Sequence, residues 1–454
     1  MKVVGGPERP LALLVAATGL LLLAVLEAIL LSTHATEVIL ATLLGIPAGW
    51  LVVRFAVRMT MAKIDVFSPI VAFPAAYVLW FGLGSLTFLL DANPPRYLYF
   101  VLGFLAYLSG ALVIVRRRTV VRGVRGSAER VPWNASHFRF VVLMFFLLMA
   151  GSYLLLIAQI GIPAIHADVI FQREALGLHH YLLNVLESSA LTLMFFAAAD
   201  LWSKVRVLAP FVSGGILGLA TLMLGSLGNR GFLVAPLLTL LVLRHYWKKA
   251  IPAKRLVVIF AVMFLASVAY DYARAKAVTN KVGDGAWSDV LFSSGAFTLY
   301  TSLSNFRDVA QAIPTEVPYQ HGYLTFGALL QILPGHHESS DEFFKRILAS
   351  DFVGGGQPGS LLAPFYGDFG LMGILVGMFL FGACGEKLYG WMRENPTLYR
   401  VLLYSWFAQT ALFSLYGALF TYIISLWLPL LWWVLHRWMS TAPEAVEPTP
   451  NAFA

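Results

Sequence analysis

Residues 138–160 read FRFVVLMFFLLMAGSYLLLIAQI, and this stretch decides the class of fold. Its one charged side chain, Arg139, stands near the start, and the remainder matches the roughly 20 predominantly apolar residues that a helix needs to cross a bilayer. Comparable stretches recur near 10–32, 35–57, 66–90, 97–115, 182–202, 207–227, 232–247, 255–273, 369–392, 399–417 and 419–437. The first follows Lys2 and Arg9 as a secretion signal would. Its apolar part is too long for one, and no small-residue cleavage site follows, so it is read as a retained helix. Across 454 residues, 59% are hydrophobic and 12% charged, with a mean hydropathy of +0.75. A soluble domain carries roughly a quarter charged residues, so a water-soluble globular protein is excluded. About twelve spans leave around 200 residues for everything else, and the chemistry must sit there.

Net charge is +8, and in a membrane protein the placement of Lys and Arg reports topology before it reports a ligand. With the N-terminus in the cytoplasm, alternating spans put 23 of the 32 basic residues inside, among them Arg54, Lys63, Arg116 to Arg118, Arg244, Lys248, Arg393 and Arg437. The 9 outside are Arg96, Arg173, Arg230, Arg274, Lys276, Lys281, Arg307, Lys345 and Arg346. Six of those lie in one long loop, whose charges count little for orientation. Both termini are therefore expected in the cytoplasm. The basic excess is a retention signal, no aromatic-interleaved basic groove points to nucleic acid, and the implied partner is the lipid bilayer. The single cysteine, Cys384, excludes an intramolecular disulfide.

The expected organisation is an all-α polytopic membrane protein. Nine helices occupy 1–273, a large outer loop 274–368, three helices 369–437 and a cytoplasmic tail 438–454. A structureless loop of roughly 90 residues would be unusual in a compact protein. Helical patterning fills it instead: Phe292, Ala296, Leu299, Leu303, Phe306 and Ala310 form one stripe of a helix. Phe343, Phe344, Ile347 and Leu348 indicate a second, short helix, with Ser339 and Glu342 in capping-box spacing. Both are expected on the membrane surface or over a cavity.

Arg230, in Gly228-Asn229-Arg230-Gly231, stands in a turn of a few residues between two spans, where an ionisable group is a functional candidate. The bland alternative is a side chain that snorkels to headgroups or pairs with a carboxylate such as Glu187. Arg173 lies in the outer loop before His180, and Arg274 continues the ninth helix outward. Three guanidinium groups near one face can converge on a phosphate through paired hydrogen bonds. Gly354-Gly355-Gly356-Gln357-Pro358-Gly359-Ser360 ends the loop and opens a helix, where glycines and free N–H groups favour close approach of an anion. Asp368-Phe369-Gly370 is no kinase motif, because no phosphate-cradling loop or strand-borne lysine accompanies it. For proton transfer the outer candidates are His321, His336, His337, Glu338, Asp341, Glu342 and Asp368. The histidine pair completes no metal-ligand spacing, and Glu342 is explained as a cap. Asp368, beside Tyr366 at the membrane edge, calls for a partner, for which the nearest suitable type is an arginine. Glu27 and Glu187 lie within spans and are read as counter-ions of those arginines.

These residues resemble the bacterial oligosaccharide repeat-unit polymerases, the O-antigen polymerase (Wzy-type) group. The resemblance rests on Ser68-Pro69 opening the third span, Gly161-Ile162-Pro163 followed by Arg173, and Gly228-x-Arg230. Its most specific part runs from Pro358-Gly359-Ser360 to Phe365-Tyr366-x-Asp368-Phe369-Gly370-x-x-Gly373. It implies a GT-C-like, all-helical glycosyltransferase of the bacterial inner membrane with its active site facing the periplasm. Donor and acceptor would both be undecaprenyl-pyrophosphate-linked oligosaccharides. No cofactor or metal is implied, and a chain-length-regulating copolymerase and a flippase are implied partners. Breaking the anomeric bond builds negative charge on the departing pyrophosphate, which fixed arginines stabilise. The expected pyrophosphate-binding residues are Arg230, Arg173, Arg274, Tyr366 and Ser360; the expected proton acceptor is His337, His336 or Asp368. An O-antigen ligase shares the span count, the loop and the outer arginines, but the Tyr-x-Asp-Phe-Gly motif favours the polymerase. A lipid-linked oligosaccharide flippase would carry interrupted helices and polar groups near the midplane in related halves, whereas these candidates gather at one face.

Overall fold

The computed structural model describes residues 65–86, 88, 97–117, 133–161, 179–204, 206–227, 231–252, 254–263, 265, 266, 269, 287–331, 338–348 and 357–440. Among them the chain is helical. The helices are α1 (Pro69–Leu86), α2 (Tyr97–Arg117), α3 (Ala135–Ile160), α4 (His179–Trp202), α5 (Pro210–Ser226), α6 (Gly231–Trp247), α7 (Trp287–Ala312), α8 (Ser340–Leu348), α9 (Leu362–Glu394), α10 (Leu398–Phe413) and α11 (Ile424–Met439). Among the described residues four stretches are long and apolar enough to cross a membrane: Tyr97–Val115, Ala135–Gln159, Leu182–Trp202 and Leu362–Glu394.

The opening stretch of the sequence is α3. Asn134 caps it, its Oδ1 accepting the backbone N–H groups of Ser136 and His137, and Gly161 stops it at φ 73°. Phe138, Val141, Phe145, Met149, Ser152 and Leu156 are buried, while Phe140, Leu143, Leu147, Leu154 and Leu155 are exposed. A helix apolar on its uncovered face as well as on its packed one has lipid, not water, as its outer solvent.

Two apolar cores hold the helices. One gathers α3 to α6 with α10 and α11 around α4, whose Leu186, Ala190, Leu193, Met194 and Ala197 are buried. The other joins α1, α2, α7, α8 and the start of α9 through Phe81, Phe100, Phe306, Phe344 and Tyr366. Between α2 and α9 the backbones touch. A β-carbon on Gly110 would stand 1.9 Å from the Phe379 carbonyl oxygen, and one on Gly382 would stand 2.2 Å from that of Tyr107. Without a hydrophobic drive between helices in lipid, such small-residue approach is what lets dispersion and backbone contacts accumulate.

Several boundaries differ from the sequence reading. Helix α9 begins at Leu362, seven residues before the expected span at 369, and is broken at Phe369 (φ −141°, ψ 17°) and Gly370 (φ 61°, ψ −145°). Helices α10 and α11 have 16 residues each, about 24 Å at 1.5 Å per residue, short of the roughly 30 Å hydrocarbon core. The reason lies in the turn between them: the carbonyls of Ser414 and Tyr416 accept N–H groups from Leu361 and Ser360, which pins the chain before α10 can continue. Composition alone merges these segments, since the turn is itself apolar. The loop helices are as expected: α7 covers the stripe from Phe292 to Ala310, and the capping box closes on α8, Ser339 N–H donating to Glu342 Oε2 at 2.7 Å.

Candidate functional site

The motif from Pro358 to Gly373 is a helical reversal. The short segment 362–368 folds back on the helix that follows it, because a β-carbon on Gly373 would lie 1.9 Å from the Phe365 carbonyl oxygen and one on Gly377 would lie 2.6 Å from the Phe365 ring. Gly370 supplies the left-handed backbone for this reversal, and its Cα faces the Tyr319 hydroxyl, 2.8 Å from where a β-carbon would stand. Breaking the helix frees two carbonyls, which are taken by the long loop: Gln320 N–H donates to Gly367 O at 2.9 Å and His321 N–H to Asp368 O at 3.3 Å.

Asp368 is fully buried. Among the described residues its partners are loop backbone and not the arginine that the sequence led us to expect: Leu324 N–H donates to Oδ1 at 3.1 Å and Thr325 N–H to Oδ2 at 2.7 Å. Both carboxylate oxygens are thus engaged in holding residues 320–325, a loop that carries positive φ at His321 (50°) and Gly322 (101°). That geometry makes Asp368 an anchor and leaves it poorly placed to collect a proton. Tyr366 is buried among Tyr99, Phe306 and Tyr319, with ring centroids at 5.2, 6.0 and 6.5 Å. Ser360 is also fully buried, at φ 63°, and its Oγ accepts the N–H of Leu362 at 3.3 Å. Tyr366 and Ser360 therefore shape the turn from within. Asn305 of α7 ties in from the side, its Nδ2 donating to Pro358 O at 3.2 Å.

Arg173, Arg230, Arg274, His336, His337, Glu27 and Gly354 to Gly356 lie outside the described residues. Glu187 is half-buried on α4. Of the remaining loop acids, Glu338 pairs with Arg346 at 2.6 Å and Glu342 serves the cap. Asp341 is buried, with one donor, the Tyr422 hydroxyl, at 3.1 Å from Oδ2. Removal from water pushes its carboxyl up to about 7, against the Tyr422 hydrogen bond and with the help of the Glu342 charge.

A second polar centre was not anticipated from the sequence. Just ahead of α1, Asp65 accepts hydrogen bonds from the hydroxyls of Tyr389 at 2.7 Å and Tyr246 at 3.0 Å, and from Arg393 Nη1 at 3.4 Å. His245 Nδ1 accepts the N–H of Ile251 at 3.1 Å, which leaves Nε2–H to face Asp65 Oδ1 at 3.5 Å. Burial raises the Asp65 carboxyl, but His245, Tyr389 and Arg393 outweigh it and hold it below the usual carboxylate range. The start of α1 is satisfied twice, by Phe67 N–H to Asp65 at 3.2 Å and by Ile70 N–H to the buried Glu386 at 3.0 Å. A signal existed in the acid three residues before Ser68-Pro69, but its partners are separated by up to 328 residues. No protein family, curated protein or solved structure matches the chain.

Proposed function

We propose that this protein is an inner-membrane glycosyltransferase that polymerises undecaprenyl-pyrophosphate-linked oligosaccharide repeat units, with about twelve spans and its active site facing the periplasm. The observation that carries the reading is the construction of the Pro358 to Gly373 motif. Its tyrosine, aspartate and glycines are what build the helical reversal and dock the long loop on it. The motif's resemblance thus corresponds to a physical unit that would place loop residues at the membrane edge, where a lipid-linked substrate presents its pyrophosphate.

Sidedness supports the alternation of the spans. Segments that the charges assign to the inside meet one another: Trp133 bridges Ser440, and Asp65 gathers His245 and Arg393. Segments assigned to the outside likewise meet, 320–325 with 367–368 and Asp341 with Tyr422.

In the proposed reaction an acceptor sugar hydroxyl attacks the anomeric carbon of the growing chain. The bond to pyrophosphate breaks, and the carrier leaves with the electron pair. Arg230, Arg173 and Arg274 would stabilise that charge. His337 or His336 would take the hydroxyl proton, with Asp368 acting on the loop instead of on the substrate. The test is incubation of the purified protein with a defined lipid-linked repeat unit. A ladder of products is expected; a single transfer onto lipid A-core would favour the ligase, and translocation without new bonds the flippase.

A further inference from the structure

Polar contacts seat helix α8 on the connection between α10 and α11 and on the turn at 357–360. Ser340 Oγ meets Thr421 Oγ1 at 3.0 Å, the Tyr422 hydroxyl donates to Asp341 Oδ2, and Gln357 N–H donates to the Asp341 carbonyl at 2.9 Å. The Asp341 side chain is enclosed on the far side by Gly417 and Pro358: a β-carbon on Gly417 would stand 3.1 Å from Asp341 Oδ2 and 3.1 Å from Pro358 Cβ. Inside this enclosure Asp341 Oδ1 has no hydrogen-bond partner. An ionised carboxylate needs donors on both oxygens, and a buried one that lacks them is far more costly than the neutral acid in the same place.

Each element packed on this carboxyl supplies its part of the balance. From α8 itself comes the like charge of Glu342, which is already committed to the Ser339 N–H at the helix start. From the α10–α11 connection comes the Tyr422 hydroxyl, the single group favouring ionisation. From the turn at 357–360 come Pro358 and backbone, with no side-chain donor. Of the cations of α8, Arg346 is held by Glu338 and lies over the Phe343 ring at 5.0 Å, and the charged groups that act on the Asp341 carboxyl do not include Lys345.

We infer that Asp341 is a proton-operated latch: helix α8 is seated with this carboxyl neutral, and ionisation of the group releases the helix from the α10–α11 connection. The raised carboxyl value of about 7 supports this and sets the window. For a group whose value is raised in the docked state, docking is unpenalised below the ordinary value of 3.8. It weakens as pH rises from there, about tenfold per pH unit, and the loss saturates above about 7. The latch does not depend on the proposed activity, and its test needs no substrate.

The test is amide hydrogen exchange of the full-length protein in nanodiscs from pH 4 to 9, corrected for intrinsic exchange rates. Protection of 341–348 is expected to fall about a thousandfold between pH 4 and 7 and then level off, while 371–394 changes little. Asp341→Asn should abolish the slope. Tyr422→Phe, which keeps the carboxyl but removes its donor, should carry the slope to higher pH. A flat profile in the unaltered protein, a slope retained in Asp341→Asn, or one shared equally by 371–394 would overturn the latch.

Discussion

Thr325 donates its backbone N–H to Oδ2 of Asp368 at 2.7 Å across 43 residues of chain, and Leu324 occupies Oδ1 at 3.1 Å. Replacing Asp368 with Ala would leave the buried Leu324 donor and the partly buried Thr325 donor unpaired, at up to about 1–3 kcal/mol each. Asp368→Ala should therefore lower the thermal midpoint markedly. Asp368→Asn, which keeps one acceptor, should cost about half as much. If instead Asp368 acted only as a proton acceptor, both variants would unfold like the unaltered protein and lose activity alone.

Arginine at 230 is the sharpest test of the proposed pyrophosphate role. Arg230→Ala should reduce polymer formation about a hundredfold or more, roughly 3 kcal/mol of lost stabilisation of the departing group, with protein level and thermal midpoint unchanged. Glycan of normal chain length in cells carrying this variant would remove Arg230 from the site.

The backbone contact between α2 and α9 predicts an asymmetry among glycines. Gly110→Ala and Gly382→Ala each force a β-carbon within 1.9 or 2.2 Å of a carbonyl oxygen, and should destabilise by at least about 1–3 kcal/mol through overpacking. Gly218→Ala meets nothing within 4 Å and should be neutral or gain up to about 1 kcal/mol of helix propensity. Thermal unfolding in one detergent compares all three directly.

Asp65 makes the prediction for acid. Its carboxyl is held below 3.8 in the folded protein, so its stabilisation is fully present above that value and is lost as pH falls through the lower folded one. Asp65→Asn should flatten that acid limb and cost about 1–3 kcal/mol at neutral pH, by weakening the hydrogen bonds accepted from Tyr389, Tyr246 and Arg393. Tyr389→Phe should cost about 1 kcal/mol. Melting curves from pH 2 to 7 separate the two.

Local features of the loop were legible in the sequence because their determinants are local. The stripe through Leu299, Leu303 and Phe306 and the Ser339–Glu342 box each fall within a few turns of chain. The partner of Asp368 was not, since a backbone N–H 43 residues away leaves no mark in residue type. The same is true of the Asp65 centre and of the turn that shortens α10 and α11.

By itself the sequence determined that this chain builds apolar helices for a lipid solvent: hydropathy and the spacing of charges act residue by residue, and burial of the backbone in hydrocarbon demands helices. Only the tertiary structure decided which acids are anchored, which one is left with an unpaired oxygen, and where glycine is required. Those properties depend on the desolvation and donor supply created when distant segments close on one another, as Thr325 does on Asp368 and Tyr422 on Asp341.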